Sequence, residues 1–349
     1  MPKDQRGFMR LDDSPLDTDT NTRDAHLLKA IRDQIAFMRE ELPFWRERLS
    51  GTNESKIESL ADLARFPILT KEDLRTIRPA ELLPESSRRH LAVCRWTSGT
   101  TGRPTVSFWT STDWMALVSS TARMLARHYP VRTPTVFNGY SQAHITGPLY
   151  NQALGRLGAT VYDRSHHAEE VLATSVQADL FNFDTLVLPG RTTRGKGIGL
   201  ANLLETDPNI LSRHRVRWWI GSSGTFDAET ISVARQQGVE TISNLYGSSE
   251  FGLCAISCTD LPTDFHVAQG HVLVEVVNDS GEQVEDGQFG RIVITHLAGM
   301  SEDGHARTHT GTQILRLAVG DGATYVSRIC TCGLTTPRLR NVQRVPTRG

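Results

Sequence analysis

The chain has 349 residues, with 38 Lys and Arg against 39 Asp and Glu, and a net charge of −1 marks out neither a nucleic-acid binder nor a protein drawn to anionic membranes. No apolar run approaches the roughly 20 residues of a membrane helix, and an N-terminus carrying Asp4, Asp12, Asp13, Asp17 and Asp19 is unlike a secretory signal. Five cysteines at irregular spacing fit a reducing cytoplasm better than a disulfide framework, and the length allows one large or two ordinary domains.

Residues 1–23 are polar and aperiodic and predict a loosely ordered tail. From Ala25 to Leu49, Leu27, Leu28, Ile31, Ile35, Phe37 and Met38 recur at helical spacing and predict an amphipathic helix. The run Thr97-Ser98-Gly99-Thr100-Thr101-Gly102 follows; it has almost no apolar surface to bury, but many backbone N–H groups, hydroxyls and two glycines. Such a loop can wrap phosphate oxygens. It is not a Walker loop, because Gly102 leads into Arg103-Pro104 and then into the strand-like Val106-Ser107-Phe108-Trp109 instead of a helix. Taken alone, the run is equally well an ordinary polar hairpin connection.

Trp114 to His128 reads as a helix. Strand-like runs then recur at Thr135–Phe137, Ala159–Tyr162, Thr185–Leu188, Val216–Ile220 and Glu240–Ser243, with helical stretches between them. That rhythm predicts βαβ units and helix-covered sheets, an α/β fold spanning 24–268. Beyond residue 270, Val272–Val277 and Gly290–Ile294 alternate around glycine turns, which predicts a small β-rich, barrel-like subdomain over 269–345.

Two further motifs follow in order: Asn244-Leu245-Tyr246-Gly247-Ser248-Ser249-Glu250-Phe251-Gly252 and Leu315-Arg316-Leu317-Ala318-Val319-Gly320-Asp321. With the Thr97–Gly102 loop they resemble the core motifs of the adenylate-forming superfamily of acyl- and aryl-CoA ligases and adenylation domains. The segment Phe66-Pro67-Ile68-Leu69-Thr70-Lys71-Glu72-Asp73-Leu74-Arg75, the Leu42–Leu49 helix and a late C-x-C-G-x-x-x-P-R-L element ending at Leu339 are similar to its phenylacetate–CoA ligase branch. The resemblance runs from about residue 30 to 345 and implies the large N-terminal domain of the adenylate-forming fold, with mixed sheets covered by helices.

The resemblance implies ATP and Mg as cofactors and activation of an aromatic carboxylic acid as its acyl-adenylate, with pyrophosphate leaving. Such chemistry requires a held triphosphate, neutralised charge and excluded water. Thr97, Ser98, Gly99, Thr100, Thr101 and Gly102 would hold the phosphates. Glu250 is similar to the family's magnesium-binding glutamate, a hard oxygen ligand of the kind that ion prefers, and Ser249 sits where a hydroxyl points toward the phosphates. Tyr246 and Gly247 border the adenine or acyl pocket. Asp321 matches the ribose-binding aspartate, and Arg338 belongs to the late Pro-Arg-Leu element. Ser222, Ser223 and Gly224 fall in a glycine-bearing floor for adenine, while Tyr140, His144, Ile145 and Gly147 fall in the region lining the acyl pocket. A lone histidine such as His144 is as well explained as a rim residue as by a role orienting the carboxylate. The lysine that often follows the loop's proline in the wider superfamily is Thr105 here.

Cys330-Thr331-Cys332 with Cys258 and His266 offers three thiolates and an imidazole, a set suited to tetrahedral zinc or, without metal, simply buried thiols. Some relatives of the branch carry a structural zinc with this order of ligands. Cys94 and Cys254 read as bystanders, and His296, His305 and His309 as solvated. The run Arg191-Thr192-Thr193-Arg194-Gly195-Lys196-Gly197 is open between a solvated loop and a site for a second substrate carboxylate.

Full-length members of the family continue into a small mobile C-terminal domain that supplies a lysine for adenylation; here the chain runs from Arg340 to Gly349 and stops. That arrangement resembles a single-domain member type linked to phenazine antibiotic biosynthesis, in which the activated acid is prepared for reduction by a partner enzyme. It implies acyl-adenylate formation without the CoA step, and a reductase or other downstream acceptor as partner; a homodimer is compatible with the chain. The competing reading is a non-catalytic nucleotide or aryl-acid binding protein descended from such an enzyme. A serine hydrolase is disfavoured, because no G-x-S-x-G elbow is present.

Overall fold

The structure, a computed structural model, describes residues 10–96, 104–129, 135–163, 186–191, 199–222, 224, 226–297 and 310–346. Thr97 to Gly102, Ser223, Arg194, Lys196, His305 and His309 lie outside the described residues. The chain forms two compact units: Met1–Asp13, Thr121–Gly247 and Ala255–Phe265 make the first, and Ser14–Ser120, Ser248–Cys254 and His266–Gly349 the second. The strands, in chain order, are β1 (Leu91–Trp96), β2 (Val106–Thr110), β3 (Thr135–Asn138), β4 (Thr160–Asp163), β5 (Leu186–Arg191) and β6 (Val216–Ser222). They continue as β7 (Thr241–Ser248), β8 (Gly252–Ser257), β9 (Asp264–Val267), β10 (Val272–Val277), β11 (Phe289–His296), β12 (Leu317–Val326) and β13 (Arg338–Arg344).

In the first unit β7, β6, β5, β3 and β4 lie side by side in that order, every neighbouring pair parallel. Parallel strands are covered on both faces, so they read as continuous apolar runs. β3 is buried at all its positions and β6 at all but Arg217. Phe137, Leu200, Leu203, Leu211, Trp219 and Ala234 pack into one core cluster. After β6 the helix Ala228–Gln236 is started by Asp227, whose carboxylate accepts from the Thr230 backbone N–H at 2.7 Å. That N-cap satisfies a donor the helix itself cannot.

In the second unit β1 and β2 form the expected antiparallel hairpin, with Trp96 opposite Val106. Strands β10, β11, β12 and β13 pair antiparallel in sequence order. The barrel-like subdomain expected over 269–345 is corrected here: among the described residues β10 does not pair with β13, whose other neighbour is β9, so the strands do not close. Alternation around glycines specifies antiparallel pairing but not closure, which needs a matching strand number and shear.

Two expectations for the N-terminal region are also corrected. Residues 10–23 are ordered: Leu11 and Asp17 are buried, and Asp17 caps the Gln269 backbone N–H at 3.3 Å. A polar composition masked these anchors. The single helix expected from Ala25 to Leu49 is two helices, Thr20–Glu41 and Pro43–Arg48, separated at Leu42, which is extended. Pro43 is the cause, since a residue preceding proline is pushed out of the helical region. The longer helix buries Leu27, Ile31, Ile35 and Met38; each such side chain contributes about 1.5–3 kcal/mol of hydrophobic stabilisation.

Arg316 organises the second unit. It is fully buried, with a left-handed φ of 48°. Its guanidinium donates to the carbonyls of Leu63 and Phe66 at 2.7 Å each, to Gly281 O at 2.6 Å and to both oxygens of Glu275. Its own carbonyl accepts from the Leu69 N–H at 2.8 Å, and Leu69 O accepts from Ala318 N–H at 2.8 Å. The segment leading to Lys71 is thereby laced to the start of β12.

Candidate active site

A capping box begins the short helix Lys71–Thr76: Thr70 N–H donates to Asp73 Oδ2 at 2.7 Å, and Asp73 N–H donates to Thr70 Oγ1 at 3.2 Å. The first helical residue, Lys71, is fixed between that cap and the Leu69 ladder. Its ammonium lies 3.5 Å from Glu250 Oε1. Thr105 Oγ1 donates to the same oxygen at 3.1 Å. Glu250 is 1% exposed, and its second oxygen, Oε2, is buried with no hydrogen-bond partner among the described residues.

Two close approaches fix this arrangement within the second unit. Gly252, at φ +77°, ends the turn that carries Glu250, and a Cβ there would run into the Leu117 side chain. Gly311 presses against Phe108, where a Cβ would collide with the Phe108 carbonyl. That contact lets Phe108 N–H donate to Thr312 Oγ1 at 2.9 Å and Phe108 O accept from Thr312 N–H at 2.8 Å. β2, and with it Thr105, is so held in place. Thr105, Ser107, Glu250, Arg75 and Thr312 line a small pocket open to solvent. A buried carboxylate oxygen without a donor is costly, and this one suits a hard divalent ion such as Mg. Ser249 is half-buried beside it in the turn.

Asp321 lies elsewhere in the second unit, in β12, opposite Arg344 of β13. Arg344 Nη1 is 3.1 Å from Asp321 Oδ1, and Asp321 with Thr70, Arg291, Gly320 and Pro346 lines a second small pocket open to solvent. Arg338 is not part of that group: it pairs with Val326 in the ladder, is buried and donates to Arg328 O at 3.3 Å. The arginine next to Asp321 is Arg344.

In the first unit Tyr140 is buried, and its hydroxyl donates to Gly190 O at 2.6 Å and lies 2.7 Å from Ser222 Oγ. Its ring stacks on Tyr150 with centroids 5.3 Å apart, and burial pushes the Tyr150 phenol well above its ordinary value. Asn138 holds the loop beyond it, accepting from Tyr140 N–H at 3.0 Å and donating to Gly147 O at 2.8 Å. Ile145 and Gly147 are buried; His144 is exposed, with Nδ1 3.0 Å from Thr146 Oγ1. Gly224 O accepts from Asn244 Nδ2 at 2.8 Å. Tyr246 is half-buried, edge-on to Phe265 at 6.3 Å, and Gly247 follows it in β7.

The ligand atoms of His266, Cys330 and Cys332 lie within 4.8 Å of one another in the second unit, with His266 Nε2 3.2 Å from Cys332 Sγ. His266 Nδ1 is 3.0 Å from Thr336 Oγ1, a contact that orients the ring. Cys258 is buried and belongs to the first unit. Burial raises the Cys254 thiol to about 12, as suits a bystander. His296, expected to be solvated, instead packs 4.4 Å from the Phe251 ring and accepts from Ile314 N–H at 3.1 Å.

Sequence reasoning gave no role to Lys71 or to the Arg316–Glu275 pair. Lys71 stood inside a recognised segment, but its sequence neighbours gave no hint of a glutamate so far along the chain. Arg316 carried one available signal, an arginine within the otherwise apolar run Leu315–Val319, because a buried cation implies a buried partner.

Residues 16–301 match the family of AMP-binding enzymes. The chain belongs to that family. It is 28% identical over 326 residues to a phenylacetate-coenzyme A ligase of Thermus thermophilus, with 89% of this chain and 69% of the relative covered. It is 27% identical to the Pseudomonas putida phenylacetate-coenzyme A ligase (78% and 62% covered) and 28% identical to that of Escherichia coli (74% and 59%). The chain therefore spans between 59% and 69% of the lengths of these three relatives. A 2-hydroxyisobutyryl-CoA ligase crystallised with 2-HIB-AMP and CoA has the same fold, with a TM-score of 0.76 at 18% identity over 97% of this chain and 79% of that one. A post-adenylation structure of that ligase gives 0.77 at 20% identity, covering 97% and 72%.

Proposed function

We propose that the chain uses ATP and Mg to activate a carboxylic acid as its acyl-adenylate, releasing pyrophosphate. The observation that carries this reading is Glu250: a buried carboxylate with one oxygen tied by Thr105 and Lys71 and the other without a partner. A protein that merely kept the shape of such a pocket has no need for a buried carboxylate oxygen left without a hydrogen-bond partner. Mg on Glu250 would supply charge neutralisation for the polyphosphate. Lys71 and Thr105 hold the carboxylate in place, and Asp321 accepts from ribose hydroxyls. Thr97 to Gly102 would cradle the phosphates, with Ser249 adding a hydroxyl and Ser222, Ser223, Gly224, Tyr246 and Gly247 bordering the base.

The acid is an aromatic one in this reading, because the relatives are phenylacetate-coenzyme A ligases. Tyr140 and its neighbours Ile145 and Gly147 border the ring, and a phenazine carboxylate, passed on to a reductase or other acceptor, is the specific candidate. His266, Cys330 and Cys332 suit a soft ion such as zinc. Cys258 is the fourth residue the sequence names, and the ion's role there is structural.

Hydroxylamine trapping tests the proposal. Purified protein with MgATP, an aromatic acid and hydroxylamine is expected to yield the acyl hydroxamate. Tight binding of both ATP and the acid with no hydroxamate from any aromatic acid would replace this reading with that of a binding protein.

A further inference from the structure

Lys71 and Thr105 converge on one oxygen of Glu250 at 3.5 and 3.1 Å and leave the other without a partner. The Lys71 side chain is 25% exposed, whereas that of Glu250 is 1% exposed. The carboxylate thus already has a neutralising cation of its own, positioned by the Thr70–Asp73 capping box. A divalent ion approaching Oε2 meets a carboxylate whose charge is compensated, and a nearby ammonium that repels it. Polyphosphate arriving with the ion brings negative charge enough for both cations.

We propose that Lys71 is a positioning residue that makes divalent-ion binding at Glu250 contingent on nucleotide. The inference rests on the reading of Glu250 as the metal ligand. Metal alone binds weakly because Lys71 occupies the electrostatic role of the ion; metal and ATP bind together, each strengthening the other. By thermodynamic linkage the same coupling appears whichever ligand is added first. The geometry also requires the lysine's charge and not merely its bulk, since Thr105 by itself supplies only a neutral donor.

The test uses the full chain and Mn²⁺, measured by electron paramagnetic resonance or calorimetry with and without ATP. Lys71→Gln is expected to tighten nucleotide-free Mn²⁺ binding about tenfold, the scale of removing one charge beside a partly buried site. The same variant is expected to weaken Mn²⁺ binding in the presence of ATP about tenfold. Lys71→Arg, which keeps the charge, should retain the wild-type coupling. Lys71→Met serves as the second neutral variant should Lys71→Gln fail to fold. Coupling unchanged in the neutral variants, or lost equally in Lys71→Arg, overturns the inference. Glu250→Gln separates the two levels: if it leaves Mn²⁺ binding with ATP intact, the metal-ligand reading itself fails. If it abolishes binding while the neutral lysine variants keep full coupling, only the role of Lys71 fails.

Discussion

Thr105 Oγ1 donates to Glu250 Oε1 at 3.1 Å across a sequence separation of 145 residues. The position is the one where the wider superfamily often has a lysine, and here a hydroxyl supports the buried carboxylate. Thr105→Val keeps the shape and removes the hydroxyl that donates to Glu250. It is expected to destabilise the protein by about 1–3 kcal/mol, the scale of a hydrogen bond lost to a buried charged group. Thr105→Ser should recover most of that loss. Urea denaturation of the three proteins checks both expectations.

The buried pair of Arg316 and Glu275 predicts an unusual pH response. Arg316→Met leaves Glu275 buried without its cation, at an expected cost of about 3–5 kcal/mol at neutral pH. Burial already pushes the Glu275 carboxyl up, with Arg316 opposing it. Removing Arg316 leaves only the upward push. A carboxyl whose folded pKa lies above its unfolded value contributes stability that is full below the unfolded pKa and is lost as pH rises through the folded one. The variant's deficit is therefore expected to shrink on acidification below neutral pH, when measured against wild type by thermal melting. A deficit that grows on acidification would contradict the assignment.

Asp227 gives the opposite sign. The backbone N–H of Thr230, followed by its hydroxyl, holds the Asp227 carboxyl below its usual value. Its stabilisation is therefore present above the unfolded aspartate pKa and is lost as pH falls through the depressed folded value. Asp227→Ala is expected to cost about 1 kcal/mol near neutral pH, the scale of a lost N-cap. That difference from wild type should fade at acid pH.

The thiol cluster predicts a metal. Protein purified without chelator is expected to carry about one zinc per chain, as one tetrahedral site would hold. Cys332→Ser should lower the content and the melting temperature together. Wild-type protein free of zinc after growth in zinc-supplemented medium would leave His266, Cys330 and the half-buried Cys332 as donors without a metal.

Much of the fold could be read from the residues because its signals are local. The runs that became β3 and β6 have apolar centres, Val136-Phe137 and Trp218-Trp219-Ile220, as buried parallel strands favour, and the small-residue loop flanked by strand-like segments predicted the β1–β2 hairpin. The break at Leu42 was equally local, written in Pro43, yet the apolar periodicity on either side concealed it. What remained out of reach was long-range. The pairing of Asp321 with Arg344 depends on the register of β12 against β13 and on its irregularity between Gly322 and Thr324. A two-fold side-chain period cannot reveal such a shift. Likewise Lys71 reaches Glu250 only because Arg316 laces the preceding segment to β12.

The most direct measurement is ATP–pyrophosphate exchange with Mg, run against phenylacetate, salicylate and phenazine mono- and dicarboxylates, with wild type and Glu250→Gln side by side. The proposed function predicts exchange dependent on one class of aromatic acid, falling about a thousandfold in Glu250→Gln, the scale of losing a metal ion's stabilisation of developing charge. Acid-dependent exchange that survives in Glu250→Gln, or no exchange with any acid while ATP still binds, would contradict it.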